Sequence, residues 1–274
     1  MFKVFLFLFI ILGCSYSKSE TSRNNYAKRK YTNVLDTIYR TARDKSLSLG
    51  TKSCKIKYST SSREIGVLLS IHDDENTSID AYNAVIDKCL EFSLIELKQS
   101  GNRLISFEHL GIAYSVDPNR IFSRNGLINS IKKYNPRYPD QVIRGFSEFA
   151  SKLLNDIIPK SKDIYIIALH NNGQNNLSIN SYIGGKEAKE TFVNPSCDID
   201  DFFYVTDKID FDYFKNKKYN VVLQETNIPD DGSLSVYCQK NNLPYINIEA
   251  QDGHLEIQKK MIIETYNLIK SKQK

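Results

Sequence analysis

The sequence predicts an α/β fold, an open mixed sheet with helices on both faces. Two observations predict it. From Glu64 onward, short apolar runs rich in β-branched residues alternate with longer segments of helical period. The chain is also 41% hydrophobic over 274 residues, enough to bury the core of one domain of ordinary size.

The elements read in order as follows. Residues 65–71 (IGVLLSI) form a buried strand. Residues 78–98 read as a helix, because Ile79, Tyr82, Val85, Ile86, Cys89, Leu90 and Leu97 fall largely on one face. Residues 104–107 are a short strand, and a loop runs on through Asp117-Pro118-Asn119-Arg120. Residues 140–158 carry the clearest helical stripe (Val142, Ile143, Phe146, Phe149, Ala150, Leu153, Leu154, Ile157, Ile158), which Pro159 ends. Strands follow at 164–169, 202–205, 219–223 and 245–248, with a short helix at 233–241 and a last helix at 255–270.

The front of the chain reads differently. Lys3 precedes an unbroken apolar run from Val4 to Leu12, well short of the ~20 residues a membrane-spanning helix needs. The run ends Ile11-Leu12-Gly13-Cys14, which resembles the lipobox of bacterial lipoproteins; that resemblance implies cleavage before Cys14 and a lipid on its thiol. An ordinary secretory signal is the alternative, and either one exports the protein. The expected organisation is a signal peptide at 1–13, a polar tether at 14–33 and an α/β domain at 34–274, lipid-anchored in the bacterial cell envelope. The tether's Lys28-Arg29-Lys30 cluster reads as a solvated or headgroup-facing charge run.

Charge and cysteines narrow the field. Lys and Arg total 37 against 32 Asp and Glu, and loss of residues 1–13 removes only Lys3, taking +5 to +4. Such a mild balance argues against a nucleic-acid partner. With Cys14 assigned to lipid, Cys54, Cys89, Cys197 and Cys238 permit two disulfides in an oxidising compartment, in three connectivities. Cys89, inside an apolar stripe, suits a buried free thiol. No Cys-x-x-Cys pair or Gly-x-Ser-x-Gly elbow is present, so thiolate zinc sites and serine-hydrolase chemistry have no support.

In open α/β sheets ligands bind at the carboxyl ends of the strands. The first strand runs into His72-Asp73-Asp74-Glu75, a central one into His170-Asn171-Asn172, and the last into Glu249. Hydrolytic zinc commonly takes two His nitrogens and one carboxylate and keeps a position for water. With 4 His and 13 Glu in the chain, a His-x-x-Glu spacing arises by chance roughly 0.2 times. Its weight therefore comes from its place at a strand end.

The ordered set His72-x-x-Glu75, Asn119-Arg120, His170 and Glu249 resembles the zinc carboxypeptidase superfamily, which holds metallocarboxypeptidases and the succinylglutamate desuccinylase and aspartoacylase branch. The resemblance spans about residues 65–261. It implies a zinc-carboxypeptidase-like (phosphorylase/hydrolase-like) single domain in which His72, Glu75 and His170 hold zinc and Glu249 is the general base. It further implies that Asn119 and Arg120 grip a substrate carboxylate, the guanidinium fork pairing with it in bidentate fashion. Arg103 occupies the place of an arginine that stabilises the developing oxyanion. Glu225 and Glu256 are rival bases. Asp230-Asp231-Gly232-Ser233 either caps the following helix or faces a basic substrate group, and His254 is a lone helix-start histidine or a partner behind the site.

The function so implied is a membrane-tethered zinc hydrolase that cleaves an amide bond next to a carboxylate. Its substrate is a small peptide or acylated amino acid with a free carboxylate. The alternative is a non-catalytic binding lipoprotein that keeps the fold.

Overall fold

The computed structural model describes residues 28–33, 36–159, 161–174 and 176–273. The signal run, Cys14 and the first part of the tether lie outside the described residues. Twelve strands and six helices are described. The chain opens with β1 (Lys28–Asn33), β2 (Asp36–Leu49), β3 (Lys52–Ser61) and β4 (Gly66–Ser70), then α1 (Asn76–Val85), β5 (Phe92–Lys98), β6 (Ile105–His109) and β7 (Ile112–Val116). Helices α2 (Arg124–Tyr134) and α3 (Asp140–Ile157) precede β8 (Tyr165–Asn172), β9 (Ala188–Phe192) and β10 (Phe202–Val205). The chain closes with α4 (Lys208–Asn216), β11 (Val221–Gln224), α5 (Leu234–Lys240), β12 (Tyr245–Gln251) and α6 (Leu255–Lys272).

Ten strands form one mixed sheet in the order β1-β2-β3-β5-β4-β8-β12-β10-β11-β9, while β6 and β7 pair separately. β5, β4, β8 and β12 run parallel, and both flanks are mostly antiparallel. Successive side chains of the central strands point to opposite faces, so an apolar run must be covered twice. Val67, Leu69, Ile166 and Ala168 meet α2, α3 and α5 on one side. Leu68, Ile167, Leu169, Ile246 and Ile248 meet α1, α4 and α6 on the other. This is the open mixed sheet with helices on both faces.

The topology also places the site. From β4 the chain moves through α1 to β5 on one side, whereas β8 lies on the other side of β4 and borders β12. The crevice at the carboxyl ends of β4 and β8 is therefore the switch point where α/β sheets bind ligands.

Several expectations need correction. The helix expected over 78–98 stops at Val85, and Phe92–Lys98 is a parallel strand of the sheet. Phe92, Leu94, Ile95 and Leu97 fit either period, so the apolar stripe ran on across a real break. Residues 28–33, expected to belong to the tether, form edge strand β1, and β2 with β3 forms a long hairpin. Of β3, one face (Cys54, Ile56, Tyr58) enters the core while Lys55 lies exposed, which explains the modest hydropathy. Helices α2 and α4 and strand β9 had no counterpart in the sequence reading. Cys54, Cys89, Cys197 and Cys238 are free thiols, so the permitted disulfides do not form; Cys54 and Cys238 lie in one core layer and Cys89 in the other.

Candidate metal centre and substrate cleft

Three groups converge where β4 and β8 end. His72 follows β4, Glu75 precedes the first turn of α1, and His170 lies near the end of β8. All three are buried. His72 Nδ1 lies 2.8 Å from Glu75 Oε1, His170 Nδ1 lies 2.9 Å from Glu75 Oε2, and the two Nδ1 atoms are 3.2 Å apart. Two donors on a tetrahedral zinc with bonds of about 2.0–2.1 Å stand about 3.3 Å apart. The spacing and the His, His, Glu chemistry thus fit that ion, and this is the group of three among the described residues able to hold a metal.

The surroundings orient these groups. Asp117 Oδ1 sits 3.0 Å from His72 Nε2, the carboxylate-histidine arrangement that fixes a ligand's tautomer and leaves Nδ1 to face the centre. Arg103 donates from Nη1 to Glu75 Oε1 at 2.8 Å. Its loop is held by Asp73, whose Oδ2 accepts the backbone N–H groups of Gln99 and Gly101, both at 2.7 Å, while Oδ1 meets Lys98 Nζ at 2.6 Å. Sequence reasoning gave Asp73 no role and Asp117 only a turn; the Asp-x-Asn-Arg spacing was the available signal for Asp117.

Burial and charge act against each other here. Burial pulls the His72 ring toward neutrality, but Glu75 and Asp117 outweigh it and raise its pKa to about 9. Burial would raise the Glu75 carboxyl, yet His170 and His72 hold it well below the usual carboxylate range. Asp117 is likewise held low by the His72 hydrogen bond despite its burial.

A cavity of about 410 Å³ opens beside the centre. Glu75, Arg103, Asn119, Arg120, His170 and Glu249 all line it. Glu249 lies on β12 directly across from His170 on β8. Asn247, two residues back on the same face, donates from Nδ2 to Glu249 Oε1 at 3.0 Å. Burial raises the Glu249 pKa, partly opposed by the positive field of His170. The rival bases are elsewhere: Glu225 accepts from its neighbour Thr226, Glu256 pairs with Lys259, and neither lines the cavity.

The Asn119-Arg120 pair sits on a 3-10 turn, Pro118–Arg120, with Asp117 accepting the Asn119 N–H at 2.8 Å. Asn119 Oδ1 accepts the N–H of Leu234, the first residue of α5, at 3.1 Å. That bond leaves the Nδ2 donors for the cavity. Arg120 Nη1 donates to the Asn119 carbonyl at 2.7 Å, and its Nε lies 3.6 Å from Asp231 Oδ2. Asp231 accordingly does two things: Oδ1 accepts the Ser233 N–H at the start of α5, and Oδ2 faces Arg120. Backbones touch beneath this turn. A Cβ on Gly126 would come 2.3 Å from Gly232 Cα, and one on Gly232, whose φ is +79°, would come 2.4 Å from the Arg120 carbonyl oxygen.

Every site residue picked out from the sequence other than Cys14 is thus within the described structure. His72, Glu75, Arg103, Asn119, Arg120, His170 and Glu249 meet at one centre and its cavity. His254 instead pairs with Asp201 at 3.0 Å and does not line the cavity.

No protein-family model matches the chain, and no curated protein sequence matches it. Among solved structures it is similar to thrombin activatable fibrinolysis inhibitor, at 10% identity over 83% of this chain and 71% of that one, with a TM-score of 0.46. It is similar to murein-tripeptide amidase MpaA from Escherichia coli O157, at 14% identity over 82% and 91% of the two chains, with a TM-score of 0.44. It is also similar to an aspartoacylase family protein from Mesorhizobium loti, at 12% identity over 87% and 71%, with a TM-score of 0.35.

Proposed function

We propose that the protein is a zinc-dependent hydrolase that cleaves an amide bond adjacent to a free carboxylate in a small peptide or acylated amino acid. One observation carries this reading. Each of three ligand-type side chains comes within 3.2 Å of the other two, and a buried carboxylate and an Asn-Arg pair line the cavity next to them. A binding protein needs the grip but has no use for the base.

His72, Glu75 and His170 would hold the ion, which when bound supplies acidification of water and polarisation of a carbonyl oxygen. Arg120 and the Asn119 amide bind the substrate carboxylate and set the scissile bond against the centre. Glu249 has Oε1 committed to Asn247, so Oε2 takes the proton from the attacking water and hands it to the departing amine nitrogen. The buried surroundings that raise its pKa help it hold that proton between the two transfers. Arg103, bonded to Glu75 and half exposed to the cavity, offers positive charge where the carbonyl oxygen becomes negative. Lipid attachment at Cys14 in the cell envelope is part of the proposal, and Cys14→Ser should move the protein from the membrane to the soluble fraction.

Zinc content of the purified domain, compared between the wild type and His170→Ala, tests the centre. Hydrolysis of a panel of acylated amino acids and short peptides, with matched amides lacking the carboxylate, tests the reaction. A wild type without zinc whose ligand binding ignores chelators would refute the hydrolase and favour a carboxylate-binding lipoprotein.

A further inference from the structure

The start of α1 has a shortage. A helix leaves its first N–H groups without partners, and the residue before the first turn normally caps one with its side chain. Glu75 holds that position, but its carboxylate is turned to His72 and His170 and makes no cap. The missing acceptor comes from another element. Asn171, the residue after His170, points to the opposite face of β8, and its Oδ1 accepts the Ser78 N–H in the first turn of α1 at 2.9 Å.

The other end of the same carboxamide is equally committed. Asn171 Nδ2 donates to Gln258 Oε1 at 2.9 Å and to the Ala250 carbonyl, next to Glu249, at 3.3 Å. Gln258, fully buried on α6, returns a bond from Nε2 to the His170 carbonyl at 3.1 Å. Two buried carboxamides therefore touch the beginning of α1, the end of β8 and the end of β12. Those segments carry Glu75, His170 and Glu249. Each amide oxygen and nitrogen has a specific partner, so neither amide can turn over without leaving a buried polar group unpaired.

We propose that Asn171 and Gln258 are a positioning pair that fixes Glu75 and His170 relative to each other and both relative to Glu249. Neither is a ligand or a base; they act through the backbone of the residues that are. The inference rests on the zinc-hydrolase reading, and its test separates the two.

The experiment measures zinc affinity of the metal-free protein against a chelating indicator, alongside kcat and KM. The variants are Gln258→Leu and the isosteric Gln258→Glu. The latter keeps the acceptor for Asn171 and gives up the donor to His170. Thr265→Val is the control, equally buried on α6 but bonded only to its own helix at the Met261 carbonyl. Gln258→Leu should weaken zinc binding about 10–100-fold and lower kcat more than it changes KM, with Gln258→Glu between it and the wild type. Thr265→Val should lower thermal stability with zinc affinity unchanged. In a cycle with Asn171→Ala, the two amide changes should be non-additive in zinc affinity. If Gln258→Leu does not fold, Gln258→Glu alone decides. Zinc affinity and kcat equal to wild type in the Gln258 variants would overturn the pair and leave the hydrolase standing. A wild type that binds no zinc would overturn both.

Discussion

Loading zinc into the metal-free protein should release a proton, and the structure says which one. His72 lies between Glu75 and Asp117, which raise its pKa to about 9 against the pull of burial. A metal ligand must be neutral, so the ring has to give up its proton when the ion arrives. With its pKa raised to about 9, His72 is mostly protonated at pH 7, and binding should expel about one proton there. A raised histidine pKa favours the metal-free form below that pKa, so apparent zinc affinity should climb with pH by about tenfold per unit from 7 to 9 and then level off. Isothermal titration in buffers of different ionisation enthalpy counts the proton, and competition with a chelating indicator gives the slope. Asp117→Asn removes one of the two groups that raise the pKa, and should both lower proton release and weaken zinc about 10–100-fold. Zinc affinity flat from pH 7 to 9, with no dependence on buffer enthalpy, would refute this account of His72.

Three more outcomes are expected. Glu249→Gln should keep zinc binding but lower kcat about 10²–10⁴-fold, measured in steady state with metal content checked on the same sample. Arg120→Ala should raise KM for carboxylate-bearing substrates by the equivalent of about 1.5–3 kcal/mol, with little change for matched amides, shown by paired kinetics on the two substrate forms. Gly232→Ala should destabilise the fold by about 1–3 kcal/mol in chemical denaturation and also raise KM, because its Cβ collides with the Arg120 carbonyl at a left-handed backbone position; a stability loss with KM unmoved would show that the turn does not set the grip.

The buried centre of the fold was legible because strands covered on both faces leave an unmistakable apolar run, as in 65–71 and 164–169. The helix at 140–158 was legible through a wide, regular stripe. The hairpin at the sheet edge was not, because β2 carries Arg40, Arg43 and Lys45 among few aliphatic residues and shows no apolar run. β5 was hidden by its own density of apolar residues, which fits helix and strand alike until a break such as Cys89-Leu90-Glu91 is recognised. At the site, His72, Glu75, His170 and Glu249 could be named because strand ends mark the place. Asp73, Asn171 and Gln258 could not, since their work is hydrogen bonding to backbone groups that only the folded chain brings near. Gln258 sits 88 residues from the carbonyl it holds.

The contact of Gly126, Gly232 and the Arg120 carbonyl bears on how the proposed hydrolase could change. Main chain rests on main chain there, so the Asn119-Arg120 turn keeps its height above the candidate metal centre whatever side chains surround it. Ser235, Tyr182 and Asn176 line the same cavity and take no part in that contact. Under the proposed function, substitution among them would redraw which acyl or peptide group the cavity accepts, while the reaction geometry would be inherited unchanged. Anchoring and selectivity are in this way separable traits, and new substrates can be acquired by surface replacement alone.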